Sequence, residues 1–500
     1  QVRADVMPND RLRQRTRWSY ALEHNSAIGV PVGALGLQVN LRRVSDDDFW
    51  RDFSRDVSSD AQVVRQRLLP GDALFTWGLG DMSMRLRTLK WQTLQDASAP
   101  IVPPYDRLPQ WQWRYAPQQL AGGLDASVEL DATRFRADTA LTGQPNAQRS
   151  YLLAQVSRPF LAPSGFVTPR LQWHASNYQF DGLLPSGVRS VHRALPTFSV
   201  DSGLFFERDA QYFGRAFVQT LEPRAFYTYT PYRDQSMLPL YDTAANDFNF
   251  ATIYTENAFG GHDRISDSNK LTLGVTSRLL APDSGAEIAR FGIAQRLLFR
   301  DQLVTMPGGT AVTNRASDLL LGAAVNWTPQ WMFDTTVSVN PETKVTNTSS
   351  ISARYSPSNY RVVNAAYRFQ RGSSEQVDIG WQWPLNDLWG DKGVDKGPGR
   401  GLGPGRWYGV GRLNYDMMNA RMVDAIVGFE YDADCWIGRV VLDRLNTTLV
   451  TANTRILFQI EFVGFSRIGA SPLQTLRQSI PRYQYLREQV TAPSRFSNYD

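Results

Sequence analysis

The residue types that most often carry chemistry are few and widely separated in this sequence. The four histidines are His24, His174, His192 and His262. A protein metal site usually draws its ligands from a short, regular spacing, and these histidines show none. The sequence also lacks a Gly-x-Ser-x-Gly nucleophile motif and a Walker phosphate loop. We therefore predict no catalytic residues, no metal site and no cofactor.

A glycine-rich run between Gly390 and Arg406 superficially resembles a nucleotide-binding loop. It reads GDKGVDKGPGRGLGPGR. A phosphate-binding loop leads into a helix whose first N–H groups contact the phosphate, and no helical pattern follows this run. We interpret it as a flexible hairpin insertion between two strands.

The one cysteine, Cys435, lies in YDADCWIGRV, directly after a strand pattern that ends at Tyr431. A lone cysteine cannot form a disulfide within the chain. Two interpretations stay open from its position. It is a small buried apolar side chain, as free cysteines commonly are, or it lies at a turn in an oxidising compartment and pairs with another segment.

Positions 231–270 form a dense aromatic and charged run between two alternating segments. The run begins PYRDQSMLPLYD and ends NDFNFATIYTENAFGGHDRISDSNK. Flexible linkers are rich in glycine and serine instead. We therefore expect a long, ordered loop here.

Composition excludes several classes of protein. Of the 500 residues, 42% are hydrophobic and 12% aromatic, which excludes disorder over the whole chain. The net charge is only +5 and the basic residues are scattered, so nucleic acid is not an expected partner. No window reaches the roughly 18 consecutive apolar residues that a transmembrane helix needs.

The elements that must position these residues are strands. Hydrophobic and polar residues alternate with period two in 271–280, 361–370 and 456–462, so each segment has one apolar face. Such segments have about the ten residues that a tilted strand needs to cross a bilayer. We count roughly 22 of them, from Gln1–Val6 to Ile456–Gly464, as in large membrane barrels. The only helical candidate is Asp46 to Arg55, inside a loop.

The connections between these strands alternate between long and short. Long separators include 45–73, 231–270 and 300–317, whereas 328–332, 357–360 and 432–434 are short. Outer-membrane barrels have long outer loops and short periplasmic turns. The sequence therefore predicts an all-β fold, a large antiparallel transmembrane β-barrel, with the 231–270 loop outside and Cys435 on the periplasmic side.

A soluble β-sandwich or propeller is the alternative fold. Trp and Tyr at strand ends, such as Trp407 and Tyr408, are typical of a membrane boundary, and the internal repeat of a propeller is missing. An open sheet edge cannot face lipid, so the strands must close into a cylinder. A barrel of this size is too wide to be filled by side chains, and it must contain a channel or a plug.

Several longer motifs carry a resemblance to a known family. They are QTLEPRAFYTYTPYRDQS, YTENAFGGHDRISDSNKLTLGVTSRLL, YSPSNYRVVNAAYRF, WQWPLNDLW, CWIGRV and LQTLRQSIPRY. In this order and spacing the sequence resembles the C-terminal β-barrel of the lipopolysaccharide (LPS) assembly outer-membrane family LptD, also called OstA or Imp. The resemblance covers essentially the whole chain.

The resemblance implies a non-enzymatic outer-membrane translocon of a Gram-negative bacterium. Family barrels have about 26 strands, hold the lipoprotein LptE in the lumen, and insert LPS into the outer leaflet through a lateral seam between the first and last strands. A periplasmic LPS-transport bridge delivers the LPS to the N-terminal domain. The candidate loop residues that contact the luminal plug are Tyr232, Arg233, Asp234, Gln235, Asp263 and Arg264. The candidate seam strand runs from about Arg455 to Gly464 and carries Ile456, Phe458, Ile460 and Phe462.

The sequence departs from the family pattern in three places. The periplasmic jelly-roll and the first few barrel strands have no counterpart, so we expect 1–500 to be the barrel without them. Asp434–Cys435 stands where the family has a cysteine pair, which implies at most one disulfide, to the periplasmic domain. The insertion between Asp387 and Arg406 has no evident purpose. A plugged porin or receptor barrel for small solutes is the alternative function.

Overall fold

The computed structural model of the chain describes residues 2–53, 67–96, 100–184, 187–446, 452–469 and 472–487. The strands are β1 (Val2–Asp10), β2 (Arg15–Val30), β3 (Gly33–Val44), β4 (Leu68–Leu79), β5 (Met82–Thr93), β6 (Asp106–Tyr115), β7 (Asp125–Arg136), β8 (Ala147–Ser157), β9 (Phe160–Ala162), β10 (Gly165–Phe180), β11 (Ser190–Leu204), β12 (Phe206–Tyr212), β13 (Arg215–Thr230), β14 (Ser268–Leu280), β15 (Glu287–Leu298), β16 (Leu319–Thr328), β17 (Trp331–Val339), β18 (Thr346–Ser358), β19 (Arg361–Gln370), β20 (Ser374–Pro384), β21 (Arg406–Asp416), β22 (Arg421–Asp432), β23 (Trp436–Asn446), β24 (Ala452–Phe462) and β25 (Ser466–Gly469). The helices are α1 (Phe49–Asp52), α2 (Thr139–Thr142), a 3-10 helix (Leu385–Trp389) and α3 (Pro472–Ser479).

The strands form one antiparallel sheet in which each long strand pairs with the next. The short strand β9 continues β8 along β10, and β12 continues β11 along β13. Without β9, β12 and the four-residue β25, the 25 strands leave 22 long ones. The prediction of an all-β antiparallel fold with about 22 strands is confirmed.

The two faces of the sheet have the polarity opposite to that of a soluble protein. Large apolar side chains are exposed on the outer face, including Phe429 and Val440, which are 50% and 46% exposed. Their strand neighbours on the inner face, Glu430 and Arg439, are almost completely buried. An apolar exterior and a polar interior fit a sheet whose outer face contacts lipid.

The two ends of the sheet differ in their connections. At one end lie the loops 231–267 and 299–318, and we call this the long-loop end. At the other end lie the turns 329–330 and 433–435, and we call this the short-turn end. The alternation of long and short connections follows the sequence prediction, with the 385–405 segment as a long exception at the short-turn end.

Aromatic side chains form a belt on the outer face at the short-turn end. The rings of Trp407 and Tyr431 are 4.8 Å apart, and those of Tyr431 and Trp436 are 5.5 Å apart. Trp331 and Tyr355 form a similar pair at 4.4 Å. Trp and Tyr rings favour the boundary between lipid and water, so this belt marks one membrane surface.

The helices are short, as the strand-dominated sequence predicts. Helix α1 lies inside the predicted Asp46 to Arg55 segment, of which residues 54 and 55 lie outside the described residues. The helices α2 and α3 and the 3-10 helix were not predicted. None of the helices in the described part of the chain has the length and hydrophobicity that would let it cross a membrane.

Candidate functional site

The loop 231–267 folds back against the inner face of the sheet. Its central contact is Arg149 of β8, whose guanidinium is fully buried. The two Nη atoms of Arg149 donate to the carboxylate of Asp242 at 2.7 and 2.6 Å, and Nη1 also donates to Asp263 Oδ1 at 2.8 Å. The hydroxyl of Tyr178 donates to the same Asp263 oxygen at 2.9 Å. Two loop carboxylates therefore bind one arginine of the wall.

A second arginine of the wall, Arg193 of β11, binds backbone carbonyls of the loop. Its guanidinium donates to the carbonyl oxygens of His262 and Asp263 at 2.8 Å each, and to Gln235 Oε1 at 2.7 Å. Gln235 in turn donates to the carbonyl oxygen of Ile265 and accepts from its N–H. The start and the end of the loop are thus held together at the wall.

Further contacts fix the middle of the loop. The side-chain nitrogen Nζ of Lys270, at the start of β14, donates to the carbonyl oxygens of Thr255 and Glu256 at 3.0 Å. The glycines Gly292 and Gly322 leave room on the inner wall for the ring of Phe250, because a Cβ at Gly322 would collide with that ring and one at Gly292 would lie only 3.1 Å from it. The loop is therefore ordered by the wall, and this confirms that it is no linker.

An apolar cluster completes the loop packing next to Arg149. It contains Tyr105, Phe135, Ala147, Tyr178, Phe180, Leu238 and Tyr241. The rings of Phe135 and Tyr241 stack at 4.6 Å, and the Arg149 guanidinium lies over Phe135 at 4.9 Å. Leu238 and Tyr241 of the loop thus bury apolar area against aromatic residues outside the loop and shield the charged contacts from water.

Of the six loop residues singled out in the sequence, three are buried and three exposed. Gln235, Asp263 and Arg264 are at most 4% exposed, and Arg264 donates to the carbonyl oxygen of Leu238. Gln235 and Asp263 hold the loop on the wall, whereas Arg264 joins two parts of the loop to each other. The other three, Tyr232, Arg233 and Asp234, are exposed.

Sequence reasoning did not find the wall residues Arg149 and Arg193 or the loop residue Asp242. Arg149 and Asp263 are 114 positions apart, and nothing in the alternating pattern of β8 distinguishes Arg149 from other inward-facing polar residues. No sequence signal identifies this pairing.

The loop histidine His262 carries a shifted pKa. Its ring lies 3.5 Å from a carboxylate oxygen of Glu129 and 3.8 Å from one of Asp242. Burial lowers the pKa of His262, but the carboxylates of Asp242 and Glu129 outweigh it and raise the pKa to about 9. For Asp242, burial raises the pKa, but Arg149 and His262 hold it well below its usual range. Near neutral pH both groups are charged.

The predicted seam strand corresponds to β24. The side chains of Ile456, Phe458 and Phe462 are exposed on the outer face at 73%, 51% and 42%, and Ile460 is half-buried. The short strand β25 pairs with β24 over Gln459 to Phe462. This differs from the expectation that the strand ending near Gly464 is the last one. Among the described residues, β24 pairs only with β23 from Ala452 to Phe458.

After β25, the C-terminal segment 472–487 lies against the inner face of the last strands. Leu476 and Ile480 are fully buried with Val410, Ile426 and Val441. Gln484 exchanges two hydrogen bonds with Gln382 at 2.9 Å each. The spacing of Leu473, Leu476 and Ile480 fits one apolar helix face and was the available sequence signal for this segment.

The C-terminal segment closes a buried charged cluster on β22, β23 and β24. Arg439 donates to Glu430 at 2.7 Å and to Glu461 at 2.6 Å, and the hydroxyl of Tyr483 donates to the same Glu430 oxygen at 2.7 Å. Burial raises the pKa of Tyr483 well above its usual value, so the hydroxyl remains a donor. The segment and the candidate seam strand are therefore joined through one polar network.

Cys435 lies in the turn 433–435 at the short-turn end and is exposed. This position excludes the buried alternative. Arg487 at the end of the described C-terminal segment donates to the neighbouring Asp434 at 2.8 Å.

The described residues contain no group of three or more histidine, cysteine or acidic residues placed to hold a metal ion. The predicted absence of catalytic and cofactor residues stays a prediction.

Comparison with known proteins gives one clear family. The sequence model of the family described as "LPS transport system D", LptD, matches residues 15–389. The chain is 65% identical to the LPS-assembly protein LptD of Paracidovorax citrulli, 60% to that of Polaromonas sp. and 36% to that of Cupriavidus necator. Each alignment covers 100% of the chain, but only 61%, 61% and 60% of the relative. The chain thus spans about three-fifths of the length of these curated relatives.

The similarity to solved structures is slight. A ferric enterobactin receptor of Pseudomonas aeruginosa matches with a TM-score of 0.32 and 8% identity, over 92% of this chain and 72% of that chain. The ferric yersiniabactin uptake receptor FyuA of Yersinia pestis matches with a TM-score of 0.21 and 11% identity, over 92% of this chain and 71% of that chain. Scores of this size support no inference.

Replacing Arg149 should release the loop 231–267 from the wall. Arg149→Gln removes the partner of two buried carboxylates, and removing one side of a buried ion pair costs about 3–5 kcal/mol. We expect faster chymotrypsin cleavage within 231–267 in the folded protein in detergent. Arg233→Gln is the control, because Arg233 is exposed. Equal cleavage of both variants would contradict the assigned role of Arg149.

The packing of the loop should weaken at alkaline pH. The charge on His262 stabilises the fold fully below its usual pKa of 6.5, and this contribution is lost as pH rises through about 9. Loop cleavage, corrected for protease activity, should therefore increase between these pH values. His262→Gln should remove the dependence, whereas His192→Gln, at an exposed position, should retain it. A dependence unchanged in His262→Gln would assign it to another group.

Truncating Leu476 should detach the C-terminal segment from the inner wall. Leu→Ala at a buried position costs about 2–5 kcal/mol, and Leu476 is fully buried. We expect faster trypsin cleavage after Arg477 and Arg482. Gln478→Ala, at an exposed position of the same helix, is the matched control. If both variants are cleaved like the parent, the packing of Leu476 does not hold the segment.

Proposed function

Because the chain belongs to the LPS transport system D (LptD) family, we propose that it is the membrane-embedded part of a translocon that inserts LPS into the outer leaflet of the outer membrane. The observation that carries this proposal is the family match over the chain, joined to a sheet with an apolar outer face and a polar inner face. The chain acts in the outer membrane, with the long-loop end outside.

The width of the barrel and the polarity of its inner wall fit an amphipathic substrate of LPS size. A barrel of more than 20 strands encloses space beyond what side chains can fill. The polar wall suits the sugar and phosphate groups of LPS, whereas its acyl chains need contact with lipid. A lateral opening in the wall meets both requirements, because it lets the two parts of one molecule lie on opposite sides of the sheet.

We place this opening at the edge of β24. In hydrocarbon each unpaired backbone group costs several kcal/mol, so a weakly paired edge is the place where a wall separates most easily. Among the described residues, the edge of β24 from Ala452 to Phe458 has no partner beyond β23. The first strand of the barrel would form the other side of the seam.

The substrate and the partners of this translocon are part of the proposal. LPS is the substrate, delivered by the periplasmic transport bridge to the N-terminal domain of the whole protein. The lipoprotein LptE occupies the lumen. The exposed residues Tyr232, Arg233 and Asp234 are available to contact it, since the wall binds the opposite side of the loop. A cleft of about 300 Å³ lies between Tyr232, Asp234 and Leu303.

The translocon is proposed to be non-enzymatic. The family description names a transport system. The driving energy for LPS movement therefore has to come from the delivering machinery.

Depletion of the full-length protein should remove LPS from the cell surface, measured with an LPS-specific probe on intact cells. Unchanged surface LPS on depletion would reject the assembly function. Solute conductance without a lipoprotein partner would favour a porin or receptor barrel.

A photoreactive residue on the outer face tests where LPS leaves the barrel. Phe458, Val440 and Phe429 are cross-strand partners on β24, β23 and β22 and face the same side of the sheet, so they differ mainly in their distance from the β24 edge. A photocrosslinker at Phe458 should capture LPS, and the same group at Phe429 should not. Equal capture at both positions would place the exit elsewhere.

Cys435 should form a disulfide with the periplasmic domain of the full-length protein. Its exposure at the short-turn end leaves the thiol accessible from that side. After proteolytic cleavage between the two domains, the fragments should stay together on non-reducing electrophoresis and separate with reductant. Cys435→Ser is the control. Fragments that separate without reductant would exclude the bridge.

A further inference from the structure

The 3-10 helix Leu385–Trp389 lies on the outer wall of the sheet. The side chain of Leu385 is 3.1 Å from the position that a Cβ of Gly409 would take. Gly409 is paired with the outward-facing Phe429, so Leu385 covers the lipid-facing side. Residues three apart in a 3-10 helix are eclipsed, and Leu388 therefore projects on the same side as Leu385.

Specific contacts hold this helix in place despite the glycine-rich run that follows. Arg361 of β19 donates to both oxygens of Asp387 at 2.7 and 2.8 Å, and to the carbonyl oxygen of Lys392 at 3.0 Å. The buried Asn386 accepts from the N–H of Trp407 at 2.9 Å. The segment is therefore more ordered than a flexible insertion.

The same contacts leave large apolar side chains uncovered. Leu388 is 78% exposed and Trp389 is 63% exposed. Their helix follows Trp383 and lies beside Trp407, which belongs to the aromatic belt at the short-turn end. The exposed pair thus continues an established membrane-facing surface at the depth where lipid meets water.

Positive charge follows directly after the apolar pair. Residues 390–406 contain two lysines, two arginines and two aspartates, which gives a net charge of +2. Arg406 is paired with Asp391 at 2.6 Å, and Lys396 lies 3.7 Å from Asp434. Within the described residues, the side chain of Lys392 has no carboxylate within ion-pair distance. An apolar face next to lysines is the pattern of a segment bound to an anionic membrane surface.

We propose that residues 385–396 anchor the short-turn end in the bilayer, with Leu388 and Trp389 inserted at the headgroup level and Lys392 facing anionic phospholipid phosphates. This role requires only the membrane-embedded sheet and does not depend on LPS as the substrate. Covering the two side chains with lipid removes their apolar surface from water. The anchor fixes the depth of the short-turn end, which carries the Cys435 turn, relative to the membrane surface.

A single labelled cysteine tests the anchor. The chain has one cysteine, so Cys435→Ser provides a background for Leu388→Cys carrying a polarity-sensitive fluorophore. Pro398→Cys, at an exposed position of the same segment, is the matched control. The protein is reconstituted into nanodiscs of phosphatidylethanolamine and phosphatidylglycerol. At residue 388 we expect a blue-shifted emission and quenching by lipids spin-labelled near the headgroup, and at residue 398 neither.

The alternatives give different results in the same measurement. Quenching of residue 388 by aqueous iodide to the same extent as residue 398 would show a water-exposed segment and overturn the proposal. Protection from iodide without quenching by spin-labelled lipid would show a protein contact and also overturn it. Lys392→Gln should reduce the lipid quenching more in nanodiscs with phosphatidylglycerol than in those without it. An equal reduction in both kinds of nanodisc would show that Lys392 does not contact anionic headgroups and would overturn that part of the proposal.

Discussion

The structure depends on one constraint, that hydrocarbon supplies no hydrogen-bonding partner to the backbone. Each strand must therefore find its partners in its neighbours, and the described residues do so as a single meander of 22 long strands, with β1 paired on one side only and β24 paired only with β23 from Ala452 to Phe458. The same constraint explains the side-chain polarity. Phe429 and Val440 face outward, and their neighbours Glu430 and Arg439 are buried inside.

A wide sheet with a polar inner face creates a second problem, because charged groups covered by other segments need partners. Two of the described segments that cover the inner face are each held around an arginine. Arg149 binds Asp242 and Asp263 of the loop 231–267, and Arg439 joins Glu430 to Glu461 under the C-terminal segment. Such networks are stable only when complete, which gives these segments defined positions.

The arrangement of these segments bears on how a seam could work. The C-terminal segment braces β22, β23 and β24 from inside through Tyr483, while β25 covers one end of the β24 edge. Among the described residues the β24 edge has no partner beyond β23 from Ala452 to Phe458, so it could separate there without unfolding β23. The helix Leu385–Trp389 and the aromatic belt set the depth of the short-turn end relative to the membrane surface.

The sequence by itself determined the long strands, their approximate number, the apolar face of segments such as 361–370, and the alternation of long and short connections apart from 385–405. These follow from a period of two and from local composition, which need no knowledge of distant residues. It also indicated an ordered loop around Gln235 and Asp263. Only the tertiary structure decided that Arg149 binds this loop, that β25 follows β24, and that Leu476 packs inside. Those contacts join residues far apart in the chain. The alternating sequence pattern does not distinguish one inward-facing polar residue from another.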